Sequence, residues 1–98
     1  MRARYYVLGV DGRPVGVDDV EVWRQWMQTA ARTVAVDATP DGRVSTVFLG
    51  LDHGWDDGAP VLWETMIFGG SCDGWQWRHR SVEDARAGHA IALELARR

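Results

Sequence analysis

The chain has 98 residues and a formal net charge of −3, and 46% of its residues are hydrophobic while 26% are charged. These values are ordinary for a globular protein and exclude disordered and fibrous classes; the length suits one small domain over residues 1–98. The single cysteine excludes an internal disulfide and a CxxC metal site. The negative charge argues against direct nucleic-acid binding. Because no apolar run is long enough for a membrane span and no signal-type segment follows Met1, we expect a cytoplasmic bacterial protein.

The N-terminal part of the sequence predicts a strand followed by a helix. Residues 5–10 are rich in aromatic and β-branched side chains and end at a turn. Residues 13–17 then form either a short return strand or an extended lead-in. Asp18 has the position of a helix N-cap, and the helix is predicted over residues 19–32. Its amphipathic face comprises Trp23, Trp26, Met27 and Ala30.

The remaining sequence predicts an antiparallel sheet and a second helix. The strand over residues 44–51 is apolar on both faces, which is typical of a central strand. The last helix begins at the N-cap Ser81. The element order β-α-β-β-β-β-α predicts an α+β fold in which two helices cover an antiparallel sheet of four to five strands. Strands are predicted in residues 33–37, 44–51, 61–68 and 75–79, and the apolar face of the last helix comprises Gly88, Ile91, Ala92 and Leu95.

An acidic loop between two predicted strands contains the densest set of polar side chains. Carboxylates and an imidazole in one loop could ligate a divalent metal ion, with Glu64 of the next strand as a further ligand. The spacing matches no zinc signature, and the EF-hand pattern fails because the twelfth position from Asp52 is Trp63. The favoured alternative is a hairpin loop whose aspartates cap backbone amides. The loop comprises Asp52, His53, Trp55, Asp56 and Asp57.

Three other side chains have both a chemical and a structural interpretation. Glu64 shares a predicted strand face with apolar residues and needs a partner, so it is a general acid or base, a ligand contact or, as we favour, a salt-bridged residue. Cys72 would need a neighbouring histidine to act as a nucleophile, and a passive thiol is favoured. His89 lies beside the apolar face of the last helix, where a bond to the sheet is favoured over a ligand role. The sequence thus predicts no catalytic residue and no cofactor, and it leaves a metal site open.

Six tryptophans are the most specific physical feature of the sequence. Trp23, Trp26 and Trp63 fit the predicted core. The other three lie in or beside loops, where they either form a protein-binding surface or fold back to enlarge a small core. With the acidic loop and Glu64 they define the candidate binding residues, which are Asp52, His53, Trp55, Asp56, Asp57, Glu64, Trp75 and Trp77.

Two segments form a distinctive pattern, VSTVFLGLDH at residues 44–53 and ETMIFGG at residues 64–70, followed later by the pair Gly88-His89. With flanking similarities this pattern extends over most of the chain. It resembles a family of small uncharacterised proteins from phages and prophages of high-GC bacteria. The resemblance implies a phage-associated accessory protein, and it implies no activity and no catalytic residue.

These features support three hypotheses about function. The first is a phage-associated accessory protein that binds a host or phage protein through an acidic, tryptophan-containing surface, for example as an inhibitor of host defence of the anti-CRISPR type. The second is a small metal- or nucleotide-binding protein or enzyme built on Asp52, His53, Glu64 and His89. The third is an oligomeric structural or virion component that associates through its aromatic edge. Small size, the acidic second half of the chain and the resemblance favour the first, and therefore favour binding over enzymatic activity.

Overall fold

A computed structural model describes residues 3–98, which contain six strands and two helices. The strands β1 (Tyr5–Leu8) and β2 (Pro14–Val17) form an antiparallel hairpin, so the segment after the first turn is a return strand. The helix α1 (Val20–Thr29) follows. A second antiparallel sheet contains, in this order, β3 (Thr33–Thr39), β4 (Gly42–Phe48), β5 (Trp63–Phe68) and β6 (Gln76–His79), and α2 (Val82–Ala96) follows β6. The predicted α+β class is confirmed, with the strands divided between two sheets.

The helix α2 lies against one face of the four-stranded sheet. In each central strand alternate side chains point toward α2 and are buried, as the twofold period of a strand requires. β4 lies between β3 and β5, which confirms its predicted central position. The buried residues of this layer are Val44, Thr46 and Phe48 in β4, Trp63, Thr65 and Ile67 in β5, and Ala85, His89 and Ala92 in α2.

The helices differ from the predicted ones at three points. Asp19 rather than Asp18 caps α1, because its Oδ1 accepts a hydrogen bond from the backbone N–H of Glu21 at 2.9 Å. α1 ends at Thr29 rather than near residue 32, because the next residue is already extended (φ −70°, ψ 141°). In α2 the buried face centres on His89, and Ile91, which was predicted to lie on the apolar face, is 62% exposed. Ser81 is the N-cap of α2, as predicted.

The strand β4 ends at Phe48 rather than at the predicted residue 51, because the chain turns at Gly50. Gly50 has φ of 74°, a conformation that favours glycine and that a strand does not adopt. Its carbonyl accepts hydrogen bonds from the indole N–H of Trp23 at 2.9 Å and from the backbone N–H of Tyr6 at 2.8 Å. Gly50 therefore joins the N-terminal hairpin and α1 to the end of β4.

Aromatic side chains connect α1 with the sheet. Phe48 is fully buried, and its ring centroid lies 5.9 Å from that of Trp26 and 5.5 Å from that of Trp63. Trp23 packs against Tyr5 with centroids 5.0 Å apart. Trp63 is buried in the core and Trp26 packs against it, as predicted, whereas Trp23 is half-buried outside that core cluster. In residues 3–98 no helix combines the length and the apolar character that crossing a membrane requires.

Candidate functional site

The connection between β4 and β5 carries most of the residues predicted for binding, and residues 52–61 are called the Trp55 loop below. Asp52 begins the loop and is only 8% exposed. Its Oδ1 accepts hydrogen bonds from the backbone N–H of Gly54 at 2.8 Å and of Val61 at 2.9 Å. One carboxylate oxygen therefore joins the two ends of the loop. This confirms the predicted capping role for Asp52 and places its side chain inside the fold rather than on an acidic surface.

Arg80, directly after β6, holds the middle of the Trp55 loop. Its guanidinium contacts both carboxylate oxygens of Asp56, at 3.1 and 3.2 Å, and donates to the carbonyl oxygen of Ala59 at 2.6 Å. Asp56 also accepts from the backbone N–H of Gly58 at 2.9 Å. Bidentate pairs of this kind fix geometry as well as charge. Because Arg80 offsets the charge of Asp56, Asp57 carries most of the exposed negative charge of the loop.

Trp55 lies between Asp52 and Asp56 and is fully exposed, with a relative exposure of 100%. An indole left in water forgoes the gain that burial of a large aromatic ring provides. The loop around it is fixed at Asp52 and at Asp56, so the ring projects from a braced backbone. His53 is half-buried at the start of the loop, where its backbone N–H donates to the carbonyl of Val61 at 3.1 Å.

Trp75 and Trp77 lie away from Trp55. The β5–β6 ladder begins at the Trp63–His79 pair beside the Trp55 loop, and Trp75 lies just beyond its other end. The rings of Trp75 and Trp77 pack edge to face with centroids 5.9 Å apart. Trp75 is 48% exposed, whereas Trp77 is half-buried against a core cluster. The candidate tryptophans therefore contribute to two separate surfaces rather than to one.

A cleft of about 490 Å³ opens beside the Trp55 loop. It lies between the β1–β2 turn and the N-terminus of α2, and Pro60 makes it continuous with the loop. Apolar walls include Tyr6 and Leu62, and the charged side chains of Arg13 and Glu83 also line it. Its size is typical of pockets that accept a small molecule or a side chain.

Glu64 lies on the face of the sheet that points away from α2. Its Oε2 lies 3.1 Å from Nε of Arg78, its neighbour across the β5–β6 ladder. On the same face the guanidinium of Arg43 lies 4.2 Å from the ring centroid of Phe68. The structure thus matches the favoured interpretation of Glu64 as a salt-bridged residue.

A chain of buried polar groups runs between α2 and the sheet, and sequence analysis did not single out its threonines. Nε2 of His89 donates to Oδ2 of Asp37 at 2.8 Å, and Nδ1 of His89 lies 2.7 Å from Oγ1 of Thr46. Thr46 Oγ1 lies 2.7 Å from Thr65 Oγ1, which lies 3.0 Å from Nε2 of His79. Since a carboxylate only accepts, a neutral His89 ring accepts from Thr46 at Nδ1. Thr46 and Thr65 lie directly opposite each other in the β4–β5 ladder, a pairing that the sequence does not reveal.

This hydrogen-bonded network contains the residue types of a Thr-His-Asp catalytic triad, but its hydroxyl groups are not accessible. Thr46 and Thr65 are fully buried and His89 is 5% exposed, so no substrate can reach the hydroxyls. Among the described residues no buried side-chain polar atom lacks a hydrogen-bond partner. The hydrogen-bonded network therefore fixes the position of α2 on the sheet. This agrees with the favoured interpretation that His89 bonds to the sheet rather than to a ligand.

The residues of the predicted metal or nucleotide site lie in different parts of the fold. Asp52 and His53 belong to the Trp55 loop, Glu64 points away from α2, and His89 lies on the face of α2 that packs against the sheet. Within residues 3–98 no group of three His, Cys, Asp or Glu side chains is placed to hold a metal ion. Cys72 is half-buried against the core cluster of Val44, Ile67 and Ala92.

Comparisons with known proteins give no match, whether with protein-family models, with curated proteins or with solved structures. The geometry of the Trp55 loop and the adjoining cleft is therefore the main basis for a functional proposal.

Proposed function

We propose that the protein acts by binding a partner protein, with Trp55 as the central anchor of the interface. The observation that carries this proposal is the fully exposed indole of Trp55 on a loop held at Asp52 and Asp56. Tryptophan is among the residues most enriched at binding hot spots. Its rigid ring covers a large area while losing little conformational freedom on binding.

The bracing of the loop lowers the cost of binding. Fixing a free backbone costs about 1–2 kcal/mol per residue, and a partner of a flexible loop would have to supply that free energy. Here the hydrogen bonds of Asp52 and the guanidinium of Arg80 hold the loop within the protein itself. Trp55 therefore presents its ring in a defined position before a partner arrives.

The cleft beside the loop supplies a complementary feature. A partner that receives Trp55 in its own pocket can place one of its side chains in the cleft lined by Tyr6 and Leu62. Arg13, Glu83 and the exposed Asp57 give the surrounding surface charges of both signs. Charges at such a rim affect the association rate and the choice of partner more than the affinity.

Within this function, we propose a bacterial defence protein as the partner, as for an inhibitor of the anti-CRISPR type. The resemblance of residues 44–53 and 64–70 to phage and prophage proteins supports this choice. The small size of the chain also supports it, because blocking a functional surface by occupancy requires one preorganised interface and no chemistry.

The test begins with expression of the chain in bacteria that carry CRISPR-Cas or other defence systems, with phage plaquing as the readout. We expect restored plaquing in at least one system and a stoichiometric complex with the defence protein concerned. In that complex Trp55→Ser raises Kd by at least about thirtyfold. Trp55→Phe retains part of the affinity.

The matched control is Val36→Thr, which changes an exposed apolar side chain on β3 without altering its shape greatly. It should leave Kd unchanged. Tight binding by Trp55→Ser would refute Trp55 as the anchor, and unchanged plaquing in every defence system tested would refute the choice of partner.

A further inference from the structure

β6 is the last strand of its sheet, and its outer edge is unpaired within residues 3–98. The carbonyls of Trp75 and His79 accept hydrogen bonds from backbone N–H groups on the β5 side, at 2.9 and 3.1 Å. Residues of an antiparallel strand alternate in the side to which their N–H and C=O groups point. The backbone groups of Gln76 and Arg78 therefore point outward, and both residues are exposed.

We propose that two copies of this chain associate through their β6 strands, which pair antiparallel about a two-fold axis at Trp77. In this register Gln76 of each copy lies opposite Arg78 of the other. These are the two residues whose backbone groups point outward, and each such pair exchanges two hydrogen bonds. The two four-stranded sheets then form one continuous sheet across the axis.

Alternative registers fit less well. A shift by one residue brings outward-pointing groups opposite residues that already bond to β5. A two-fold axis at Arg78 would place two guanidinium groups directly opposite each other, which is unfavourable. With the axis at Trp77, each Arg78 faces a neutral Gln76, and its charge is already offset by Glu64 at 3.1 Å. Of the axes at Trp77 and Arg78, charge therefore favours the axis at Trp77.

The side chains on the α2 face of β6 are complementary in this register. Trp75 of one copy lies opposite His79 of the other, and the two Trp77 rings face each other. Trp75 is 48% exposed and Ile91 on the adjacent face of α2 is 62% exposed, so apolar surface is available for burial. A groove of about 270 Å³ runs between β6 and α2 at His79, Gly88 and Ile91. The indole of Trp75 from the second copy is placed to enter this groove, once in each copy.

The opposite edge of the sheet, β3, lacks these properties. Its ladder with β4 has a register shift between Thr33 and Ala35. Irregular pairing is one of the devices by which edge strands avoid association. The ladder of β6 is regular from Gln76 to His79. Between the two edges of the four-stranded sheet, self-association is therefore expected at β6 rather than at β3.

The first experiment is sedimentation of the full chain over a wide concentration range. We expect a monomer–dimer equilibrium. Gln76→Pro removes an outward N–H at the first residue of β6, a position where proline is tolerated. Because each dimer then lacks two hydrogen bonds, dimerisation should weaken about thirtyfold. The matched control Gln76→Ala should dimerise like the wild type, and circular dichroism checks that all three proteins are folded.

The second experiment tests the register by disulfide trapping in a Cys72→Ser background. When Gln76→Cys and Arg78→Cys proteins are mixed, the two cysteines lie directly opposite each other at about 5.5 Å between Cα atoms, within the range that a disulfide spans. Identical cysteines are offset by two residues, about 8–9 Å apart, which is too far. The mixed dimer should therefore form in clear excess over either homodimer.

Three results would overturn the proposal: a monomer at every concentration, a dimer indifferent to Gln76→Pro, or trapping without preference for the mixed pair. If the protein is a monomer and its β6 edge pairs with a strand of a different protein, the dimer proposal is likewise overturned. The outcome is independent of the function proposed for Trp55. Trp55→Ser should leave the dimer intact, and Gln76→Pro should leave partner binding through the Trp55 loop intact.

Discussion

The imidazole of His79 lies directly against Gly88 of α2. A Cβ at Gly88 would overlap Cε1 of the ring and lie 3.0 Å from Nε2. The ring is held there by the hydrogen-bond contact between Nε2 and Oγ1 of Thr65, 3.0 Å long. Gly88 thus allows α2 to approach β6 more closely than any other residue would.

Gly88→Ala should therefore destabilise the protein. Overpacking costs about 1–3 kcal/mol and alanine gains about 1 kcal/mol over glycine inside a helix, so the net loss should be up to about 2 kcal/mol. In a His79→Ala background the obstacle is absent, so the same substitution should stabilise by up to about 1 kcal/mol. Urea denaturation of the four proteins measures this, and an equal effect of Gly88→Ala in both backgrounds would contradict it.

Thr46→Val should destabilise the protein by about 1–3 kcal/mol, because it leaves Nδ1 of the buried His89 without its hydroxyl partner. Thr46→Ser is the matched control: it keeps the hydroxyl and loses one methyl group, so its cost should be about 0.8 kcal/mol. Combining Thr46→Val with His89→Leu removes both partners and should cost less than the sum of the single changes. Strict additivity in thermal or urea unfolding would show that the contact is energetically unimportant.

Stability should fall as the pH decreases below about 6.5. Burial lowers the pKa of His79 from its ordinary 6.5, and the nearby carboxylate of Asp84 partly opposes that shift. Between the lowered pKa and 6.5 the unfolded chain binds more protons than the folded one. The contribution of His79 is thus complete above 6.5 and is lost as the pH falls from there through the pKa of the folded state.

Urea denaturation across this pH range measures the effect. Asp84→Asn should increase the loss at low pH, because it removes the charge that raises the pKa of His79. His79→Gln should remove the part of the pH dependence due to this residue. If the free energies of unfolding of the wild type and His79→Gln depend on pH in the same way, protonation of His79 is not coupled to folding.

Arg80→Ala should loosen the Trp55 loop while changing global stability little. The substitution removes the contacts to Asp56 and Ala59, whereas exposed ion pairs typically contribute less than about 1 kcal/mol. Amide exchange of residues 54–61 should accelerate, and exchange in β4 and β5 should not change. Arg13→Ala is the control, because it removes an arginine from the same cleft without touching the loop contacts. Unchanged exchange in the loop after Arg80→Ala would show that Asp52 alone holds it.

The sequence predicted features that depend on neighbours along the chain. The capping role of Ser81 follows from its place before a helix, and the α+β class follows from the order of periodic segments. The end of β4 was missed because hydrophobic pattern does not reveal that Gly50 bonds to α1. Trp55 and Trp75 were grouped because both lie near loops, but strand register places those loops at opposite ends of a ladder.

The buried network of His89, Thr46 and Thr65 also could not be predicted from local sequence pattern. Thr46 and Thr65 meet only because β4 and β5 pair in one register, and His89 meets them only because α2 lies across that pair. A threonine in a strand is equally compatible with an exposed face, so its residue type gives no sign of such a contact.

Each ladder of the four-stranded sheet joins strands that follow one another along the chain, from β3 to β6. Such contacts close short segments, so the entropy lost in forming them is small and the expected folding rate is high for a sheet protein. α2 comes last in sequence and carries His89 onto the already paired strands. We therefore expect a folding transition state in which the strands are largely paired while α2 is still docking, with substitutions in α2 acting mainly on the unfolding rate.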